Sequence, residues 1–306
     1  MTQKVLCIGA TLIDELYFCQ ETIAPHSSNP AQKSAHIGGV MSNIVQHLAL
    51  LGGEVGLLSA LGNDGEAALV RSKLTSLGID LTATLNVEGP TGKYVSVLQP
   101  DGSLYVAVCQ DSCTASITPA VLEAQRPYMN AFAYWLADTN LPTETLQWLI
   151  HTAKANGKRL VIEPVSVPKA TKLAALDLDS LYMLTPNEDE LKALTGATTE
   201  AEGIAQLLHR GVQHLWLRKG DQGSVMHQAA AQQALGVPKL TIVDSTGAGD
   251  AALAGWCYAR LQGQDSLRCL QYGHALAFHI LLQKGAVDHH MNPERLKQLT
   301  HTYYHD

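Results

Sequence analysis

The stretch LTIVDSTGAGDAALAG at 240–255 joins a short β-branched run, a turn containing Gly247 and Gly249, and the start of an apolar helix. Strands that alternate with helices in this way build parallel α/β sheets. The free amides of Gly247, Ala248 and Gly249, with the positive end of the helix dipole, predict an anion hole. Asp250, in the first helical turn, is placed to take a proton from an attacking hydroxyl. The alternative is a tight turn in which Asp250 only caps the helix.

The same alternation of strand and helix runs through the rest of the chain. Apolar runs that predict strands lie at 5–10, 55–62, 132–138, 159–164, 181–186, 215–220 and 240–244. Helical spacing of apolar residues recurs at 43–51, 143–156, 187–195, 200–210 and 249–262. The pattern predicts a three-layer α/β fold with a mainly parallel, buried central sheet.

Two segments, 12–37 and 91–111, interrupt this alternation. The second, read as TGKYVSVLQPDGSLYVAV, has period-2 strands joined by a Pro-Asp-Gly turn. We expect both segments to form a small β-sheet that acts as a lid over the ligand-binding edge of the central sheet. The domain prediction is therefore one unit, 1–306, with lid segments inserted. Exposed hairpin edges tend to pair with another chain, which predicts a homodimer through the lids.

Composition narrows the classes of protein. The chain has 306 residues, is 46% hydrophobic and carries a formal net charge of −7, with basic residues scattered rather than clustered. Nucleic acid polymers are therefore not expected as partners. The N-terminal apolar run is soon interrupted by Asp14 and Glu15, so neither a signal peptide nor a membrane span is predicted, and the expected location is the cytoplasm. The six cysteines are expected to be reduced thiols, because none has the spacing of a zinc or redox motif.

A second motif is HIGGVMSN at 36–43, in which Gly38 and Gly39 precede a helix. Adjacent glycines allow a ligand to press against the main chain, and Asn43 has both a donor and an acceptor for sugar hydroxyls. On these residues alone, a glycine turn capped by Ser or Asn is the better explanation.

Two further motifs follow predicted strands. In TPNEDEL at 185–191, Asn187 and Glu190 share a helix face, an arrangement that suits a hydrated Mg²⁺ carried by nucleotide phosphates. Helix capping explains the same pair. In RKGDQG at 218–223, Lys219 and Gly220 are predicted to border the nucleotide phosphates, the alternative being a hairpin turn. No Walker loop and no G-x-G-x-x-G fingerprint is present, which disfavours a dinucleotide-dependent oxidoreductase.

Taken together, the segments 38–67, 185–191, 218–223 and 244–255 resemble the PfkB-type, ribokinase-like carbohydrate and nucleoside kinases over essentially the whole chain. The resemblance implies a ribokinase-like fold and an ATP- and Mg²⁺-dependent kinase. It implies Asp250 as catalytic base, and Asp14 as the partner of Gly39 and Asn43 in holding substrate hydroxyls. Glu190 would position Mg²⁺ through water, and Asp244 and Thr246 fall where many members bind a monovalent cation such as K⁺.

Within the family, the segments 28–52, 91–108, 137–150 and 163–170 are similar to those of the pseudouridine kinases. The implied reaction is phosphorylation of the 5′-hydroxyl of pseudouridine. The chain departs from that pattern at Glu163, where Asp is usual, and at 109–112, where Asn-Asp-Met is expected. The alternatives are a ribokinase or fructokinase acting on a free sugar, and a catalytically silent ligand-binding member of the fold.

Overall fold

A computed structural model describes residues 4–304 and places eight strands in one large sheet. From one edge to the other they are β14 (Ala231–Leu235), β13 (Ser224–Gln228), β12 (His214–Arg218), β11 (Met183–Leu184), β10 (Arg159–Glu163), β9 (Tyr134–Asp138), β1 (Val5–Ile8) and β4 (Val55–Leu58). The strands from β4 to β12 are parallel, and β13 and β14 continue the sheet in antiparallel fashion. The predicted mainly parallel central sheet is confirmed.

Helices pack on both faces of this sheet, because side chains that alternate along a buried strand enter two separate cores. Val5 and Cys7 of β1 lie in one core, and Leu6 and Ile8 lie in the other. The first core also receives α1 (Val40–Leu50), α2 (Gly65–Ser76), α8 (Ala248–Leu261), α9 (Ser266–Leu281) and α10 (Pro293–Tyr304). The second receives α3 (Pro119–Met129), α4 (Thr143–Ala155), α6 (Glu188–Thr195) and α7 (Glu200–His209). A short helix, α5 (Val167–Ala170), follows β10.

A separate small sheet has the strand order β3 (Ala31–Gly38), β2 (Leu12–Cys19), β7 (Lys93–Leu98) and β8 (Leu104–Gln110). It arises from the two segments predicted to be extended. β2 pairs with β3 and β7 with β8 in antiparallel fashion, while β2 and β7 run parallel and join the two hairpins. A two-stranded pair, β5 (Ala60–Leu61) and β6 (Leu85–Asn86), completes the strands. The prediction of a single domain over 1–306 stays a prediction, and residues 1–3 and 305–306 lie outside the described range.

The strand predicted at 240–244 is wrong. This stretch has no strand partner, and the side chains of Ile242 and Val243 are exposed. The amide of Val243 bonds instead to the carbonyl of Leu281 at the end of α9. β-branched residues favour an extended chain, but a strand also needs a neighbour, and here the sheet edge is taken by the hairpin β13–β14.

Two general properties follow from the described range. Between residues 4 and 304, no helix combines the length and apolarity that crossing a membrane requires. All six cysteines are free, and only Cys109 among them is exposed.

Candidate active site

Helix α8, which follows the loop 244–247, packs against helix α1. Asn43, on the first turns of α1, donates from Nδ2 to Oδ2 of Asp250 at 2.8 Å. Asn43 is buried, and its Oδ1 has no hydrogen-bond partner. A buried acceptor without a partner costs free energy, so this oxygen is available to a ligand hydroxyl. Two motifs whose bonded residues are 207 positions apart in sequence thus form one site.

The glycine turn presents backbone donors at the start of α8. Gly247 has φ of +75°, in the left-handed region, and it precedes the first helical residue. Among residues 4–304, the amides of Gly247 and Gly249 have no hydrogen-bond acceptor, whereas the amide of Ala248 donates to the carbonyl of Ser245 at 3.3 Å. The turn therefore has the free N–H groups that an anion hole needs.

The carboxyl group of Asp250 has a raised pKa. Burial raises its pKa to about 7, and the neighbouring carboxylate of Glu163 adds to the rise, while the amide of Asn43 and the guanidinium of Arg218 work against it. A carboxylate with this pKa is a stronger base than one in water, and it still loses its proton near physiological pH.

Asp14 and Gly38 lie against each other where β2 and β3 of the small sheet reach α1. A Cβ on Gly38 would collide with the carboxylate of Asp14, so any larger residue here would require that carboxylate to move. Burial raises the pKa of Asp14 to about 6. Gly39, with φ of +91°, forms the N-cap of α1 and its carbonyl accepts the amide of Asn43 at 2.9 Å. Asp14, which the family resemblance added to the second motif, thus lies beside Gly38, and Gly39 is bonded to Asn43.

Glu163, Thr185 and Arg218 meet at the carboxyl ends of β10, β11 and β12. Nη2 of Arg218 donates to Oε1 of Glu163 at 2.6 Å and to the carbonyl of Thr185 at 2.5 Å. The hydroxyl of Thr185 donates to Oε2 of Glu163 at 2.5 Å. Burial works against the charge of Arg218, but Glu163, Glu190 and Asp250 together outweigh it, so the pKa of Arg218 is raised.

Asn187 and Glu190 form a reciprocal capping box at the start of α6. The Asn187 side chain accepts the amide of Glu190, and Oε2 of Glu190 accepts the amide of Asn187 at 2.9 Å. The capping alternative is therefore correct, and it leaves Oε1 of Glu190 without a donor among the described residues. Burial raises the pKa of Glu190, and the neighbouring Glu163 adds to the rise. A buried carboxylate with a free oxygen, close to a second carboxylate, suits a cation.

Lys219 is paired with acidic residues of α6 and α7. Its Nζ lies 2.8 Å from a carboxylate oxygen of Glu200 and 3.6 Å from one of Glu188. Gly220, with φ of +56°, starts the turn between β12 and β13, so the hairpin alternative describes this motif. These contacts leave the adjacent Arg218, rather than Lys219, facing the site.

Asp244 ties the loop before α8 to the segment after α9. Its Oδ1 accepts the amide of Thr246 at 2.9 Å, and its Oδ2 accepts the amide of Gly285 at 3.1 Å. Both carboxylate oxygens are thus engaged in backbone hydrogen bonds. A monovalent cation at Asp244 and Thr246 stays a prediction.

Sequence reasoning missed Asp138 at the end of β9. It is fully buried, and its carboxylate accepts the amide of Ala10 at 3.1 Å and that of Asn140 at 2.9 Å. Burial raises its pKa to about 6. The signal was an acidic residue directly after an apolar run, at the sheet edge where α/β proteins bind ligands.

A buried carboxyl group beside a glycine turn, next to a second acidic cluster, is an arrangement that suits phosphoryl transfer. The chain belongs to the pfkB family of carbohydrate kinases, whose sequence pattern it matches over residues 2–293. It is therefore a sugar or nucleoside kinase, a phosphotransferase with an alcohol group as acceptor, as the sequence motifs predicted. It is 30% identical to pseudouridine kinase of Escherichia coli strain K12 over 276 residues, which cover 88% of this chain and 87% of that protein.

Solved structures confirm the ribokinase-like fold. The Arabidopsis thaliana ribokinase complexed with ribose and ATP has a TM-score of 0.86 at 22% identity, covering 98% of this chain and 99% of its own. An Escherichia coli ribokinase II in complex with ATP and Mg²⁺ has a TM-score of 0.82 at 19% identity, covering 98% and 100% of the two chains.

Proposed function

We propose that this kinase transfers the γ-phosphoryl group of ATP to the 5′-hydroxyl of pseudouridine, with Asp250 as the general base. The observation that supports the chemistry is the Asn43–Asp250 hydrogen bond at 2.8 Å, because it joins the proposed base to the motif proposed to hold the substrate. The similarity to pseudouridine kinase supports the choice of acceptor.

The roles of the residues follow from their positions. Asp250 takes the proton of the attacking hydroxyl, and the amides of Gly247 and Gly249 stabilise negative charge on the transferring group. Asp14 and Oδ1 of Asn43 are acceptors for hydroxyls of the ribose ring, against the bare backbone of Gly38 and Gly39. The enzyme therefore acts by positioning and electrostatics, as in phosphoryl transfer generally.

Mg²⁺ fits beside Glu190. Within residues 4–304, no three His, Cys, Asp or Glu side chains are grouped to enclose a metal ion. Mg²⁺ keeps several waters and is held in nucleotide sites by phosphates and few carboxylates, so the free oxygen of Glu190 is sufficient when it acts through water. Bound there, Mg²⁺ would neutralise phosphate charge. The turn at Gly220 lies next along the sheet, on the side proposed for the nucleotide.

We expect Glu190→Gln to raise the Mg²⁺ concentration for half-maximal rate by about tenfold or more, and to lower kcat more than it weakens sugar binding. Gln keeps an oxygen for the Asn187 amide, so the capping box survives. Glu202→Gln is the matched control, since Glu202 makes the same capping box with Thr199 at the start of α7. Equal Mg²⁺ dependence of both variants in steady-state kinetics would contradict the role of Glu190.

The acceptor is tested with a substrate panel and the wild-type enzyme. Pseudouridine should give a higher kcat/KM than ribose, fructose, uridine or adenosine when ADP formation is measured with Mg²⁺. If a free sugar gives a kcat/KM at least tenfold higher than that of pseudouridine, equivalent to about 1.4 kcal/mol of transition-state preference, the pseudouridine proposal is wrong. Absence of ADP formation with every acceptor would favour the silent ligand-binding alternative.

We further propose that the small sheet is a lid and that two copies pair through it. β8 is an edge strand that carries the exposed apolar residues Leu104, Val106 and Val108. Exposed edges of this kind pair with another chain. We expect light scattering to give a dimer mass for the wild type and a monomer mass for Val108→Lys. A monomeric wild type at working concentration would count against the proposal.

We place the enzyme in the cytoplasm, since six free cysteines suit a reducing compartment, and we propose no polymer or membrane partner.

A further inference from the structure

Arg218 reaches the phosphate-binding turn with one end of its guanidinium. Its Nη2 is held by Glu163 and by the carbonyl of Thr185. Its Nη1 lies over Gly249, where an added Cβ would be 2.5 Å away. Among the described residues, Nη1 has no acceptor. Nη2 is therefore anchored by Glu163 and Thr185, whereas Nη1 is free and lies at the glycine turn.

The acidic groups around Arg218 would repel a phosphate group unless a positive charge lay among them. Glu163 and Glu190 lie 2.6 Å and 3.9 Å from Nη2 of Arg218, and both are buried. Asp250 adds a third carboxyl group close by, since its pKa responds to both Glu163 and Arg218. Phosphate oxygens placed among these groups would be repelled. The neighbouring Lys219 does not compensate, because it is paired with Glu200 on the surface.

We propose that Arg218 is a catalytic residue that contacts the transferring phosphoryl group through Nη1, and that Glu163 is a positioning residue that holds it there. The bond between the γ-phosphorus and its bridging oxygen breaks, a bond to the acceptor oxygen forms, and Asp250 receives the hydroxyl proton. Arg218 stabilises the charge on the γ-phosphoryl oxygens as this occurs. An arginine in such a position contributes on the order of 10³–10⁵ in rate in other phosphoryl-transfer enzymes. The inference rests on the proposed site at Asp250 and is independent of which alcohol is the acceptor.

The decisive comparison is between Arg218→Met and the double variant Glu163→Gln/Arg218→Met. Removing one partner of a buried ion pair leaves an unpaired charge, whereas removing both does not. If Arg218 only neutralises Glu163, the double variant regains both the melting temperature and kcat. If Arg218 acts on the phosphoryl group, the melting temperature recovers while kcat stays about 100-fold or more below wild type. A double variant with more than about a tenth of wild-type kcat overturns the proposal.

Arg218→Lys keeps the positive charge, so it provides a test even if Arg218→Met fails to fold. One ammonium cannot bond to Glu163 and also lie over Gly249, so kcat should fall about tenfold or more with little change in melting. An unchanged kcat in this variant overturns the proposal. Arg210→Lys is the matched control, because Nη2 of Arg210 likewise donates to two oxygens, here the carbonyls of Leu173 and Leu176. It should lower the melting temperature without changing kcat. All rates are read on the acceptor that the wild type uses best, so failure of the pseudouridine proposal is visible separately.

Discussion

Asp250→Asn should lower kcat by about 10²–10⁴-fold and leave KM for ATP nearly unchanged. An amide is nearly isosteric with the carboxylate and can still pair with Asn43, whose donor now binds Oδ2 of Asp250 at 2.8 Å. It cannot accept the proton of the attacking hydroxyl. The loss falls on kcat because the group acts on the nucleophile in the transition state.

The alternative, in which Asp250 is only a helix cap, has a matched control in Asp265. Asp265 is the N-cap of α9, and its side chain accepts the amide of Arg268 at 2.8 Å. Asp265→Asn should cost about 1 kcal/mol of stability or less and leave kcat unchanged. The N-cap of α8 is Gly247, with no side-chain cap. A folded Asp250→Asn enzyme that keeps more than about a tenth of wild-type kcat would remove Asp250 from the base role.

The pH profile gives a second readout of the same residue. The pKa of Asp250 is raised to about 7, chiefly by burial, and the base must be deprotonated to act. In the free enzyme, kcat/KM should therefore be constant above that pH and should fall about tenfold for each pH unit below it. In the residual activity of Asp250→Asn the fall below pH 7 should be absent, and a fall should begin only near the pKa of Asp14, which burial raises to about 6.

The parts of the site that local sequence encodes were predictable. The glycine turn, the base and the paired glycines are each contiguous motifs whose backbone requirements show in the residue types. That these motifs lie together in space was not predictable from local sequence, because Asn43 and Asp250 are brought together by the packing of α1 on α8. The family resemblance supplied this long-range information.

The choice between Arg218 and Lys219 shows where sequence reasoning stopped. That this motif borders the nucleotide phosphates stays a prediction. Successive side chains of a strand point to opposite faces, so the side chain that faces the site depends on where β12 ends. Glu163 stood out as a departure from the pattern of related kinases. Its partner, Arg218, is 55 positions away and is revealed only by the pairing of β10, β11 and β12.

The glycine turn itself is tested by Gly247→Ala. Gly247 has φ of +75°, and Gly263, just beyond the C-terminal end of the same helix, has φ of +77°. Alanine at either position bears the same left-handed strain, about 1–2 kcal/mol. Only at Gly247 does the new Cβ meet other atoms, at 2.4 Å from Cβ and 2.7 Å from Cα of Ala286. Gly263→Ala is therefore a control for strain without collision.

Because Ala286 contributes backbone as well as side chain to this contact, the turn or the segment 284–287 must shift to admit the methyl group. The amides of Gly247 and Gly249 then leave the positions at which they meet the phosphoryl oxygens. Loss of one such donor costs about 10²–10³-fold in kcat in related electrostatic sites, so Gly247→Ala should lose about 100-fold or more. Gly263→Ala should melt lower than wild type and keep its kcat. If both variants turn over within threefold of wild type, about 0.7 kcal/mol, the glycine turn does not bind the transferring group.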